Sequence, residues 1–439
     1  MPERAHMRVL ILTLPMVKSH LYVLAPLAWA LRSAGHEVRV ACQSDLTDAI
    51  TAAGLTAVPV GVPMSGAAEE VASTGSEAAP PPRPLSTSTP LQADYGGDDP
   101  WAELDSAVNN FLRHCCPDQM LDDLVGFARS WRPDLVLWDW MTYAGAIAAR
   151  ACGAAHARVL GGTDAVVQLR EAWRSGVPGD TRQDPMRAWL EPLLDRYGCA
   201  FTEEAVTGQW TVDTQPEWAW SPGGPRRVPV RQLAYNGPSA VPRDLEAPPE
   251  RPRVCVTMGG SQRGGTYSEA SPAALLEAVA DLDVEVIATF TAADLRGHAL
   301  PDNVRTYDYV PLSVLLPSCA AVVHHGGFGT MVSALESGVP QLVVPGEFWS
   351  NKWYGPVAYA NGLQERGAGV YVADSDRLTP DLLRTRLKEV LDNPSYREAA
   401  ELLRLEALGR PTPSAIVPTL EKLTAAHSTA ARSLSGVPR

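Results

Sequence analysis

The sequence predicts an α/β protein with two doubly wound, Rossmann-like domains facing a cleft. Three observations carry this reading. Short apolar runs alternate with helix-spaced segments in two separate blocks, the pattern of parallel strands joined by crossover helices. The 439 residues exceed what one ordinary core organises. A stretch crowded with Pro and Trp, 208–250, separates the blocks. The expected boundaries are 1–227 for the N-terminal domain, 228–250 for the linker and 251–424 for the C-terminal domain. A Ser- and Ala-rich tail, 425–439, is expected to be disordered.

In the first block "RVLILTL" (8–14) is a compact apolar strand. "APLAWALRSAGH" (25–36) has helical spacing and ends at Gly35, a C-cap signal. "EVRVAC", the helix "LTDAITAAG" and "TAVPVG" complete a β-α-β-α-β start. Residues 64–100, rich in Ala, Pro, Ser and Gly, interrupt it and read as a mobile loop. Helical periodicity resumes over 101–130. The strand "PDLVLWDW", the helix "YAGAIAARACG" and the strand "HARVLGG" follow.

The second block has strand-like runs at 253–260, 284–290, 304–310, 320–326, 341–346 and 368–372. Its helices include "SPAALLEAVADL", "PLSVLLPSC", "TMVSALESG" and "TPDLLRTRLKEVLD". The last is the best specified, with Thr379 as N-cap and Pro380 at the first helical position. Two such units place a ligand cleft between them, at the carboxyl ends of their strands.

Composition narrows the function. The formal net charge of −13 argues against nucleic acid and against an anionic membrane surface. No stretch of about 18 apolar residues exists to span a membrane, and Met1–His6 reads as a short leader. The seven cysteines are odd in number and form no CxxC pair, so buried free thiols in a reducing cytoplasm are expected.

The sharpest local signal is "VVHHGGFGT", 322–330. An apolar strand runs into His324 and His325, three glycines follow, and Thr330 opens a helix. Strand, glycine turn and helix N-terminus make an anion site, because free backbone N–H groups and the positive dipole end converge there. It is not a dinucleotide fingerprint, since Val332 stands where the third glycine belongs. "DSD" (374–376) resembles an Asp-x-Asp metal motif but reads as a solvated turn. No His/Cys cluster has metal-ligand spacing, so no metal is expected. His20 lies between the first strand and the first helix, on the cleft rim. Asp139 ends another strand of the same sheet, where it could orient His20 as a base or merely cap the next helix.

Together these pieces resemble the GT-B glycosyltransferases of family 1, and more narrowly the bacterial transferases that put deoxysugars on macrolides and anthracyclines. The resemblance covers nearly the whole chain. It is carried by residues 18–61, "SWRPDLVLWDW", "TGQWTVD", "YNGPSAVP" and "AAVVHHGGFGT…SGVPQLVVPG". It implies an N-terminal acceptor-binding domain, a C-terminal nucleotide-sugar-binding domain, and His20 as catalytic base oriented by Asp139. It also implies a donor diphosphate held by His325, Gly327, Gly329 and Thr330, with Gly259, Gly260 and Ser261 approaching from the other side. Val310 matches the segment that reads the base through backbone groups. After "LVVPG", relatives usually hold the sugar through an acidic residue. Here Ser350 and Asn351 stand at the matching positions, with Glu347 close enough to substitute.

The donor follows from the same comparison. Plant relatives of this fold carry a glutamate eight positions after the diphosphate histidine, gripping both ribose hydroxyls of UDP. That position here is Ser333, too short to hold a vicinal diol, and a dTDP-deoxysugar is implied instead. The acceptor is implied to be an apolar polyketide aglycone in antibiotic biosynthesis. The mechanism is an inverting displacement without metal or cofactor. The segment 101–135 resembles those of transferases that need a cytochrome P450-like auxiliary activator protein, and room is left for a homodimer. Two rival readings are a nucleotide-sugar 2-epimerase of the same fold and a non-catalytic nucleotide-sugar-binding protein.

Overall fold

The computed structural model describes residues 6–15, 17–64, 99–176, 180–219, 226–259, 270–295, 297–346 and 355–435, with side chains described through 427. Parallel strands need crossover connections that cover both sheet faces, so their sequences are apolar throughout. Two such sheets form the protein. The first contains β1 (Arg8–Leu12), β2 (Glu37–Cys42), β3 (Thr56–Pro59), β4 (Leu135–Asp139), β5 (Ala155–Val159), β6 (Trp210–Asp213) and β7 (Arg227–Pro229). Their spatial order is β3-β2-β1-β4-β5-β6-β7. The second contains β8 (Arg253–Thr257), β9 (Glu285–Ala288), β10 (Val304–Thr306), β11 (Cys319–His324), β12 (Gln341–Val343) and β13 (Gly369–Tyr371). Their order is β10-β9-β8-β11-β12-β13, and the pairings in both sheets are parallel.

Side-chain alternation divides the first sheet between two cores. Leu10, Leu12, Val136 and Trp138 face one side, with the helices α2 (Asp118–Trp131) and α3 (Ala144–Cys152) over them. Val9, Ile11, Leu135 and Leu137 face the other, covered by α1 (Lys18–Ser33) through Leu21, Leu24, Ala28 and Leu31. In the second sheet α4 (Phe328–Ser337) and α5 (Pro356–Glu365) pack together on one face, sharing Met331, Val332, Tyr359 and Leu363. The helix α6 (Pro380–Asp392) lies on the other face through Leu383, Leu387 and Val390. Thr379 caps α6, its hydroxyl accepting the Leu382 N–H at 3.2 Å, and Pro380 follows.

Three boundaries differ from the sequence reading. The Pro- and Trp-rich stretch from 208 supplies two strands, β6 and β7, and β7 runs into the expected linker. Trp210 and Val212 are fully buried, and β7 is the edge strand, where Pro229 costs no ladder bond toward a further strand. So the first domain extends through β7 and past residue 227. The linker is firmly held: Leu245 packs into the C-terminal core with Val310 and Leu316. Finally, the last helix, α7 (Pro413–Ser435), does not belong to the C-terminal core. Ile416, Val417, Leu420 and Leu423 pack beneath α1 with Met7, Val38 and Trp210, and His36 Nε2 lies 3.2 Å from Glu421 Oε1. Helix continues to Ser435, where a disordered tail from 425 was expected. Ser and Ala are small enough for either state, and the anchoring Ile, Val and Leu lie upstream of the tail.

The loop expected to be mobile falls almost wholly on residues 65–98, outside the described residues. All seven cysteines are free, and Cys42, Cys115, Cys116, Cys255 and Cys319 are buried. Among the described residues no helix is long and apolar enough to cross a membrane.

Candidate active site

Both sheets reverse their winding between their first and fourth strands, counting within each sheet: β1 beside β4, and β8 beside β11. Neighbouring strands there send their chains to opposite faces and leave a crevice at their carboxyl ends. His20 and Asp139 occupy the first crevice. The chain leaving β1 enters α1, whose first turn carries His20. Asp139 is the last residue of the adjacent β4. His20 Nδ1 lies 2.7 Å from Asp139 Oδ2.

The aspartate is withdrawn from water, 1 % exposed, and its other oxygen, Oδ1, accepts the Met141 N–H at 3.0 Å. Asp139 therefore holds the imidazole and closes the turn after β4, but it does not cap the next helix, where Tyr143 stands at the N-cap position without a side-chain cap. A carboxylate can only accept, so the proton of His20 sits on Nδ1 and the lone pair is left on Nε2. The histidine side chain is 19 % exposed against 2 % for the aspartate, so the pair presents its basic end outward. Such an arrangement can take a proton from a hydroxyl.

The second crevice holds His325 between two glycines. A Cβ on Gly259, whose φ is +77°, would come within 2.5 Å of the ring's Cε1, and one on Gly327 would overlap Nε2. Any larger residue at either position would evict the ring. Burial pushes the His325 pKa down to about 4, and its Nδ1 has no hydrogen-bond partner among the described residues. It is a neutral imidazole with an unspent polar atom. Two residues on, Gly327 is the N-cap of α4 and supplies no side-chain cap, so the first-turn N–H groups have no intrahelical acceptor. Gly329 is exposed and Thr330 is buried. Val310 buries its side chain in a core with Leu315 and Leu316. Gly260, Ser261, Glu347, Ser350 and Asn351 lie outside the described residues.

His324 has a separate task. Its ring is fully buried; Nδ1 accepts the Gly326 N–H at 3.1 Å, and Nε2 lies 3.0 Å from Gln341 Oε1 on β12. It ties the end of β11 to the neighbouring strand and shapes the turn that aims His325. Ser333 is also fully buried. Its hydroxyl donates to the Gly329 carbonyl at 2.8 Å and accepts from Asn236 Nδ2 at 3.2 Å. The helices α1 and α4, whose N-terminal ends lie at the two crevices, touch one another. Among the described residues no group of three or more His, Cys, Asp or Glu is placed to hold a metal. The "DSD" turn is occupied internally, Asp374 accepting from the Tyr371 hydroxyl at 2.6 Å.

Two features escaped the sequence reading. Asp164, in the loop after β5, has φ +58° and is locked by buried Arg158, with Nη2 2.6 Å from Oδ2. This fixes Thr163 against Gly355 of the C-terminal domain, where a Cβ would lie 2.7 Å from Cγ2. "GGTDA" carries no pattern that would reveal such an ion pair. The other is Asn236, whose signal was only a polar residue between Tyr235 and Gly237 in the linker.

With this geometry in view, comparison with known proteins is specific. The models of the erythromycin biosynthesis protein CIII-like N-terminal and C-terminal domains match residues 29–259 and 273–423. The chain belongs to that family. It is 42% identical to the aclacinomycin-T 2-deoxy-L-fucose transferase of Streptomyces galilaeus, over 96% of this chain and 97% of the relative. It is 44% identical to the 10-deoxymethynolide desosaminyltransferase of Streptomyces venezuelae, over 93% and 95%. A crystal structure of glycosyltransferase VinC in complex with dTDP superposes with a TM-score of 0.81 at 38% identity, covering 96% of this chain and 100% of VinC. The fold of this family member is GT-B, as the expected two-domain cleft required.

The buried histidines make stability depend on pH. Burial pushes His324 down to about 3, helped by neighbouring His325 and opposed by the Gln341 bond. Burial pushes His156 to about 3 as well; its Nδ1 accepts from Trp138 Nε1 at 3.4 Å. Unfolding returns both to about 6.5. The unfolded chain then binds more protons, so their contribution is complete above pH 6.5 and is lost as pH falls toward 4. The slope approaches about 1.4 kcal/mol per pH unit for each histidine. Urea midpoints should fall between pH 7 and pH 4, and His324→Gln should flatten part of that slope while lowering stability at pH 7.

Proposed function

We propose that the chain is an inverting glycosyltransferase that moves a deoxysugar from a dTDP-sugar to a hydroxyl of an apolar polyketide aglycone, as a step of antibiotic biosynthesis. What supports this reading is the 2.7 Å contact of His20 with Asp139 at one crevice, and the uncapped helix start after His325 at the other, on helices that touch. The named relatives are an aclacinomycin-T 2-deoxy-L-fucose transferase and a 10-deoxymethynolide desosaminyltransferase, and VinC was solved with dTDP.

In the proposed step Nε2 of His20 takes the acceptor's hydroxyl proton as that oxygen attacks the anomeric carbon. The bond from that carbon to the diphosphate oxygen breaks, and dTDP leaves with the electron pair. A single displacement inverts the anomeric configuration. Asp139 stabilises the imidazolium that forms. The leaving charge meets His325 and the first-turn N–H groups of α4. A bound diphosphate favours the protonated imidazole, opposing the effect of burial on His325. No metal or cofactor takes part in this reading, and Gly260, Ser261, Glu347, Ser350 and Asn351 complete the donor site. The cytoplasm is its proposed compartment.

Replacing His20 with Ala should lower kcat by roughly 10²–10⁴-fold while dTDP affinity stays near normal. Asp139→Asn should act in the same direction but less severely, because it removes orientation and not the base. Turnover near wild type in His20→Ala would remove the assignment; donor turnover without acceptor would turn it toward epimerisation.

The nucleotide preference rests on Ser333. With its hydroxyl committed to Gly329 and Asn236, it offers no carboxylate for a ribose diol. The thymine methyl adds on the order of 0.8 kcal/mol if fully covered. Calorimetric titration should find dTDP binding more tightly than UDP, by about tenfold. Equal affinities would reject this preference.

An auxiliary protein of cytochrome P450-like fold is the further partner proposed, docking on the segment 101–135. The apolar side of that segment, Leu104, Val108, Leu112, Leu121 and Leu124, is consumed by the protein's own core, so contact would involve its polar side. Turnover of the isolated chain should rise on co-expression with such a helper; full activity alone would count against it.

A further inference from the structure

The linker is held from both sides in alternation. Gln232 Nε2 donates to the Val23 carbonyl of α1 at 3.1 Å. Two residues on, the Ala234 N–H donates to Glu336 of α4 at 3.0 Å. Tyr235 returns to α1, its ring meeting Tyr22 edge-on at 4.9 Å and Trp29 at 4.8 Å. Asn236 turns back to the C-terminal domain: Nδ2 donates to Ser333 Oγ of α4 at 3.2 Å, and Oδ1 accepts the Ser313 N–H at 2.9 Å. Its carbonyl accepts from the Tyr309 hydroxyl. Gly237, at φ +86°, passes so close to Tyr22 that a Cβ would lie 2.7 Å from the phenol oxygen.

A flexible tether needs none of these contacts. They join α1, which carries His20, to α4, whose N-terminus follows His325. Asn236 is the only linker residue described here whose single side chain bonds two separate elements of the C-terminal domain. One is α4. The other is the segment 309–313, which contains Val310.

We propose that Asn236 is a positioning residue for the donor nucleotide: it sets the spacing between the base-reading segment at Val310 and the diphosphate cradle at His325. This rests on the nucleotide reading of that cleft. A ligand that spans both segments binds best when their separation is fixed beforehand, because the cost of ordering them is already met. Asn236 touches no reacting atom; it acts through Ser313 and Ser333. The residues on the other side of the strap, Gln232 and Tyr235, hold α1 and leave this spacing alone.

The test is dTDP titration by calorimetry, with thermal melts of the ligand-free proteins, for wild type, Asn236→Ala, Ser333→Ala, their double variant and Gln232→Ala. Asn236→Ala should weaken dTDP about tenfold, Ser333→Ala less, and the double variant no more than Asn236→Ala, since a shared interaction is lost once. Asn236→Asp, which keeps the acceptor for Ser313, should recover part of the affinity. Gln232→Ala should bind dTDP as wild type does. Wild-type affinity in Asn236→Ala would overturn the proposal and leave the nucleotide reading standing. Equal weakening in Gln232→Ala would overturn it as mere loosening of the linker. A wild-type protein that does not bind dTDP would remove the nucleotide reading and this proposal together.

Discussion

Parallel strands that reverse their winding direction cannot close the ends of the two strands at the reversal, and this topological constraint underlies the rest of the molecule. It operates twice, at β1 beside β4 and at β8 beside β11. One reversal carries His20 and Asp139, the other Gly259 and His325. No side chain has to be dragged into the cleft from a distance. Each sits where its strand or helix ends, on elements whose apolar faces are spent holding the sheets together.

The same side chain acquires three characters from three surroundings. His20 faces a buried carboxylate, which fixes its proton on Nδ1 and turns its lone pair outward. His325 lies between glycines with no such partner, so burial alone acts and pushes its pKa down to about 4. His324, one residue earlier, spends both ring nitrogens inside the fold and is lost to chemistry. What separates these three rings is which polar atoms each one meets, not where it stands in the chain.

The two domains are joined more tightly than a linker implies. The last helix crosses back to pack under α1, and residues 232–237 bond alternately to α1 and α4. Tyr359 of α5 donates to Gln215 of the N-terminal domain at 2.5 Å, adding a further tie. Relative placement of base and cradle is thus specified by many modest contacts. That suits a displacement, whose rate falls steeply with small errors in the alignment of the reacting atoms.

Much of this was legible in the order of residues. Apolar runs of buried parallel strands, the glycine turn after "VVHH" and the Thr379–Pro380 start of a helix are local signals with local causes. They identified two α/β halves, the glycine turn that leads into a helix after His325, and the position of His20 between β1 and α1. The short strands β6 and β7 were not legible, because they are too brief to show a period and sit among Trp and Pro. Nor was the return of α7, since its Ile, Val and Leu residues would suit either domain's core. The 2.7 Å contact between His20 and Asp139 spans 119 positions of sequence, and the Arg158–Asp164 lock and the bonds of Asn236 also depend on which elements become neighbours. Sequence by itself determined which segments become strands, turns and helices, because that depends on residues a few positions apart. Only the tertiary structure decided which polar atoms pair, because pairing requires distant segments to share a boundary.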